Sequence, residues 1–170
     1  MNAATGDFEV KSCLLSWIAV VCLVASGVAM AGDGAIAWQG VGADGKAIRF
    51  DPAELKRPAI LLFWATWCPY CKALMPFVQN VVDAAGHDRL DVYAIDIKED
   101  GDADPVAELR DRHLSFTLVR DGDAIAELYG VKGTPGLFLV DVHGQIVYKR
   151  VGGDAPEKVE AALREKLHVN

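Results

Sequence analysis

Phe63-Trp64-Ala65-Thr66-Trp67-Cys68-Pro69-Tyr70-Cys71-Lys72 is the stretch on which the reading of the whole chain turns. It closes the apolar run Ala59 to Ala65 (AILLFWA) and opens a segment with Leu74, Met75, Val78, Val81, Val82 and Ala85 at helical spacing. A near-continuous apolar run suits a central strand covered on both faces. The stretch is therefore expected to hold the end of a buried strand, a short exposed turn and the first turn of a helix. Both cysteines fall at that junction, close enough on one helical turn to close a small disulfide ring. A helix N-terminus offers unpaired N–H groups and a partial positive charge. Both stabilise a thiolate, which is the reactive form of cysteine. Cys68 is expected to be the exposed nucleophile. Cys71, one turn further in, is expected to be the partly buried resolving thiol. Pro69 suits an early helical position, where its missing N–H is no loss. Lys72 either adds a positive charge beside the pair or points to solvent.

Outward from this centre, composition narrows the field. The chain has 170 residues and a net charge of −7, which speaks against general nucleic-acid binding. Leu14 to Ala31 (LLSWIAVVCLVASGVAMA) carries no charge and ends in Ala29-Met30-Ala31 before Gly32-Asp33-Gly34. Small-x-small before a turn is the pattern of a signal-peptidase site, here after Ala31. The run also reaches the length at which an apolar helix can span a bilayer. Residues 1–31 are thus expected to be a signal peptide or a membrane anchor. Either places the folded domain outside the cytoplasm, in a periplasm-like compartment. Cys13 and Cys22 go with that segment, which leaves Cys68 and Cys71 in the domain. A secreted domain stapled by structural bridges would carry more cysteines.

The remaining chain divides into short elements. Ala35 to Gly40 and Ala47 to Phe50 flank Asp44-Gly45-Lys46 and read as a hairpin. Asp51 to Lys56 suggests one helical turn with Asp51 as N-cap and Pro52 first. After the central strand, Pro76 is expected to kink the helix and Gly86 to stop it. Leu90 to Ile97 is a second core strand, and Asp104-Pro105 opens a helix to about His113. Ser115 to Val119 is a short strand and Asp123 to Tyr129 a short helix ended by Gly130. Leu137 to Val142 and Gln145 to Val151 flank His143-Gly144 as a hairpin. Asp154-Ala155-Pro156-Glu157 reads as a capping box opening a final helix to about Leu167. Parallel strands with crossovers, followed by an antiparallel pair, predict an α/β domain over 35–170: a mixed central sheet with helices on both faces.

This order and these local sequences resemble the thioredoxin fold, with an N-terminal β-hairpin extension. FWATWCPYC resembles the active-site turn of extracytoplasmic thiol–disulfide oxidoreductases of the TlpA/ResA/DsbE type. Pro76 resembles their kink proline, and Gly130-Val131-Lys132-Gly133-Thr134-Pro135 the segment before their cis-proline. The Asp44-Gly45-Lys46 prologue and the inserted stretch at roughly 100–120 agree, so the likeness covers 35–168. The resemblance implies a redox-active disulfide between Cys68 and Cys71. It implies that Pro135 is cis and lies against that pair, with Thr134 offering backbone hydrogen bonds to an extended peptide. Trp67, Pro69 and Tyr70 would complete the substrate-binding rim. It implies a disulfide reductase whose client is apocytochrome c or another extracytoplasmic protein, recharged by a membrane-borne reductant. A monomer without cofactor is expected, and no flavin or nicotinamide motif is visible. Two positions depart from the family pattern. Leu62 stands where relatives place a buried acid or Asn, and Leu74 where many place Glu. Proton transfer from Cys71 would then use water, substrate or another carboxylate such as Glu99.

Other readings of the same residues are weaker. A CxxC is half a zinc site, but the four histidines, His87, His113, His143 and His168, are scattered beside turns or ends. No metal is expected, and Met75 reads as core rather than as a copper ligand. The functional alternatives are an oxidase or isomerase of the same fold, or a redox-inactive binding adaptor.

Overall fold

The computed structural model describes residues 33–151 and 153–169. The apolar segment 14–31, with Cys13, Cys22 and the expected cleavage site, lies outside the described residues. Among the described residues, no helix is long and apolar enough to cross a membrane.

Seven strands form one sheet in the order β2-β1-β5-β4-β3-β6-β7. At its centre β3 (Ala59–Trp64) pairs in parallel with β4 (Asp91–Asp96) and antiparallel with β6 (Gly136–Val140). β4 continues in parallel to β5 (Thr117–Arg120), and β6 pairs antiparallel with β7 (Ile146–Val151). The N-terminal hairpin of β1 (Trp38–Gly42) and β2 (Ala47–Phe50) joins this sheet through β5, with Val41 opposite Arg120 and Gly42 opposite Val119. It therefore widens the sheet rather than standing apart from it.

Every residue of β3 is buried because both faces are covered. Ile60, Leu62 and Trp64 face a core shared with α1 (Pro69–Ala85), α2 (Pro105–Asp111) and α4 (Pro156–Leu167). Ala59, Leu61 and Phe63 face a second core with α3 (Asp123–Leu128) and the hairpin residues Trp38 and Phe50. Each large apolar side chain so buried contributes roughly 1.5–3 kcal/mol. Trp38 stacks on Phe50 at 5.3 Å between ring centroids, tying the hairpin to that second core.

Three local expectations change. β1 starts at Trp38 rather than Ala35, because the chain first runs along the β6–β7 turn. There the Ala35 N–H donates to the Gly144 carbonyl at 2.8 Å, and the Tyr129 hydroxyl donates to the Ile36 carbonyl at 2.7 Å. Asp51 to Lys56 is a turn, not a helix. The Asp51 carboxylate accepts the Ala53 N–H at 3.0 Å, and Pro58 follows too soon for a helical nucleus to propagate. The final helix has no capping box, because its N-cap is Ala155, without a side-chain cap bond. Asp154 lies one residue too early, and its carbonyl is taken by Arg150 Nη2 at 2.7 Å. α1, by contrast, runs through Pro76 and ends where expected. Gly86 sits at φ 98°, a conformation that favours glycine, and its N–H caps Val82.

Candidate functional site

β3 ends at Trp64, and the chain turns through Ala65 to Trp67 into α1. Cys68 is the N-cap, with extended backbone at φ −84° and ψ 105°. Its Sγ accepts the Cys71 N–H at 3.1 Å, and its carbonyl accepts the Lys72 N–H at 3.2 Å. The cysteine thus occupies the place where a Ser or Asp would cap a helix, with sulfur facing the positive end of the peptide dipoles. No acidic residue lies in the first turn of α1 to oppose that charge. Cys68 and Cys71 are joined as a disulfide, with Cα atoms 5.3 Å apart.

Exposure differs from expectation. Cys68 is only 2 % exposed and Cys71 fully buried. Both belong to the apolar cluster with Leu62, Leu74 and Met75. In the disulfide form the Cys68 sulfur is turned inward, onto the helix N–H and its partner sulfur, so it is not the exposed group foreseen. The exposed surface of the turn is Trp67, Pro69 and Tyr70, the last 75 % exposed. Leu62 and Leu74 are fully buried within this cluster, and an apolar setting disfavours a charged thiolate at Cys71.

The turn is held from the β4 side. Glu99 accepts the Thr66 N–H at 2.7 Å and the Thr66 hydroxyl at 2.6 Å. Trp67 Nε1 donates to the Lys98 carbonyl at 2.8 Å. Lys98 itself has φ 54°, and its ammonium donates to the Lys132 carbonyl at 2.9 Å. Glu99 is thereby a clamp on the residues just before Cys68. Lys72 does not point freely to solvent: its ammonium pairs with Glu108 of α2 at 3.2 Å. Burial pushes the Glu108 carboxyl upward, but bonds from Arg112 and Lys72 outweigh it and hold it below the usual range.

Among the described residues, two buried charged residues escaped the sequence reading, Asp96 and Arg150. Asp96 ends β4 opposite Trp64 and lies in phase with Ala94, which faces the α1 core. Its carboxylate accepts the Asp121 N–H at 2.7 Å. Burial pushes it up to about 6, with the negative charges of Glu99 and Asp121 adding to the rise. The available signal was that, of the two acids in the run LDVYAIDI, Asp96 is the one in phase with Val92 and Ala94. Arg150 stands at an inward position of β7, in phase with Tyr148, which packs on the α1-side core. Its Nη1 donates to the Pro135 carbonyl at 3.2 Å.

The Thr134–Pro135 peptide bond is cis, with Pro135 buried and Thr134 half-buried. Tyr70 from the cysteine turn and Thr134, Pro135 and Arg150 line one cavity of about 520 Å3. The structure thus brings Tyr70, Thr134 and Pro135 together. Trp67, Pro69 and the two cysteines are not in that lining.

Comparison with known proteins agrees with this geometry. Residues 31–149 match the AhpC/TSA family. The chain is 30 % identical to the thiol-disulfide oxidoreductase ResA of Halalkalibacterium halodurans, over 78 % of this chain and 75 % of that protein. It is 33 % identical to the thiol:disulfide interchange protein DsbE of Pseudomonas aeruginosa, over 62 % of this chain and 58 % of that one. The solution structure of a thiol:disulfide interchange protein from Bacteroides sp. superposes with a TM-score of 0.66 at 20 % identity. That match covers 81 % of this chain and 90 % of the other and shows the thioredoxin-like fold.

Proposed function

The chain belongs to the AhpC/TSA family of thioredoxin-like proteins, and from that premise we propose that it reduces disulfides of client proteins outside the cytoplasm. Its class is that of thiol–disulfide oxidoreductases of the ResA/DsbE type. The observation that carries the reading is the Cys68–Cys71 pair at the start of α1, with the Cys71 N–H directed onto Cys68 Sγ.

In the reduced protein that N–H and the helix N-terminus favour the Cys68 thiolate. The thiolate attacks one sulfur of a client disulfide. A Cys68–client bond forms, the client S–S bond breaks, and the second client sulfur leaves as a thiolate that takes up a proton. Cys71 then loses its proton and attacks Cys68 Sγ. The client's remaining thiol is released, and the Cys68–Cys71 disulfide holds the two electrons' worth of oxidation. Trp67, Pro69 and Tyr70 present the exposed surface around the nucleophile. Thr134 and Pro135 supply the facing wall, where an extended client segment pairs with backbone.

Residues 1–31 would deliver or anchor the domain 35–170 as leader or membrane segment. Apocytochrome c or another extracytoplasmic protein would be the client, and a membrane-borne dithiol protein the reductant. The test is insulin reduction with wild type and Cys68→Ser. Loss of turnover in the variant supports the enzyme, whereas equal turnover removes it and favours a binding adaptor. Cys71→Ser is expected to accumulate a mixed disulfide whose client mass spectrometry identifies. The potential of the pair, set against glutathione, separates reductase from oxidase, since about 30 mV changes the equilibrium tenfold.

A further inference from the structure

We propose that the cavity beside the redox pair recognises an acidic side chain, Asp or Glu, in the client segment that carries the reacting disulfide. This rests on reading Cys68–Cys71 as a disulfide-exchange site, and it names the substrate class of that site. The cavity, about 520 Å3, lies between Tyr70 and the loop Gly130 to Pro135, with Arg150 and Gly153 completing its wall.

The decisive feature is a buried cation without a counter-ion. Arg150 is only 5 % exposed. A buried charge is normally paired, because taking it out of water is costly. Here the guanidinium meets two backbone carbonyls, Pro135 at 3.2 Å and Asp154 at 2.7 Å, and Nε has no acceptor. Among the described residues, no carboxylate is in ion-pair distance of it. Each Nη group keeps a second N–H, since a guanidinium carries five donors. Two more cations stand close by. Lys132 lines the cavity with an exposed side chain, and Lys98 is fastened to the Lys132 carbonyl.

Two basic residues, Arg150 and Lys132, therefore line one cavity, with Lys98 fastened behind the second, in a chain whose net charge is −7. That local sign calls for an anion. The shape calls for an extended chain, because Gly133 and Gly153 leave open space: an added Cβ at either meets nothing within 4 Å. Backbone can lie there closely, with Tyr70 covering one side. A carboxylate on that segment supplies the charge the guanidinium lacks, and a basic client segment is repelled.

The test uses short disulfide peptides identical but for Glu, Gln or Lys placed one, two or three residues from the reacting cysteine. Their kcat/KM for reduction by the full, prereduced protein is measured at low and high salt. The Glu peptide is expected to exceed the Lys peptide by about tenfold at low salt, with Gln between, and the ratio to shrink as salt rises. The Glu-to-Lys ratio, taken within each variant, cancels any change in overall rate. It is expected to fall to within about twofold in Arg150→Met and to narrow in Lys132→Gln. If Arg150→Met fails to fold, judged by circular dichroism, the exposed Lys132→Gln carries the test. Equal rates for all three peptides, a preference for Lys, or a ratio unchanged in the folded variants overturns the proposal. If wild type reduces no peptide and not even hydroxyethyl disulfide, the exchange reading itself has failed and takes the proposal with it.

Discussion

Replacing Asp96 by Asn should change how stability depends on pH, and the sign follows from the structure. The Asp96 carboxyl ordinarily titrates at 3.8, and in the fold burial pushes it up to about 6. A raised carboxyl means the folded state holds its proton more tightly than the unfolded state does. The contribution of Asp96 is therefore most favourable below the unfolded value, falls between about 4 and 6, and stays low above that. The difference between 3.8 and about 6, at roughly 1.4 kcal/mol per pH unit, corresponds to at most roughly 3 kcal/mol. Asn is isosteric and its Oδ1 can still accept the Asp121 N–H, but it does not ionise. Its amide nitrogen adds a cost that does not vary with pH. The quantity to read is therefore the difference in unfolding free energy between wild type and Asp96→Asn, from urea melts of the oxidised protein at pH 4 to 8. Wild type should lose about 2–3 kcal/mol relative to the variant across that range, mostly between pH 4 and 6. A difference that stays constant with pH would refute the reasoning. It would mean that the Asp121 N–H and the surroundings fully compensate the buried charge.

Three further outcomes follow from other contacts. Leu62→Ala empties a fully buried position between β3 and α1 and should cost about 2–5 kcal/mol in a urea melt. Tyr129→Phe removes a hydroxyl that both accepts the Ile36 N–H and donates to the Ile36 carbonyl. It should cost about 1–3 kcal/mol and speed hydrogen exchange at the Ile36 amide, read by NMR. Asp104→Ala removes the cap that accepts the Ala107 N–H at 2.9 Å at the start of α2. A loss of about 1 kcal/mol is expected by thermal unfolding, with little effect on insulin reduction.

The elements that were legible are those whose cause is local. Ala59 to Ala65 had to be a doubly covered strand because it offers no polar face. Cys68, Pro69 and Cys71 had to sit at a helix start because Pro69 tolerates that position and the apolar spacing resumes at Leu74. Gly86 ended the helix because a positive φ suits it. Where reading failed, a competing contact decided. Asp51 found Ala53 rather than a helix, because Pro58 leaves no room to extend. Asp154 lost its capping role because Ala155 took the N-cap and Arg150 took the Asp154 carbonyl. Cys68 is buried because its sulfur is turned onto the α1 N-terminus and into the β3 core, which spacing alone does not reveal.

By itself, the sequence determined the chemistry: two cysteines on one helical turn, the strand that leads to them and the class of fold they sit in. Hydrophobic period, proline and glycine act within a few residues, so they can be read from a string. Only the tertiary structure decided what surrounds the pair. It set Arg150 of β7 beneath Pro135, placed Tyr70 across the same cavity, and buried Asp96 at the end of β4. Those outcomes depend on which strands become neighbours. Strand order brings together residues far apart in the chain, and charge burial is a property of that assembly rather than of any segment in it.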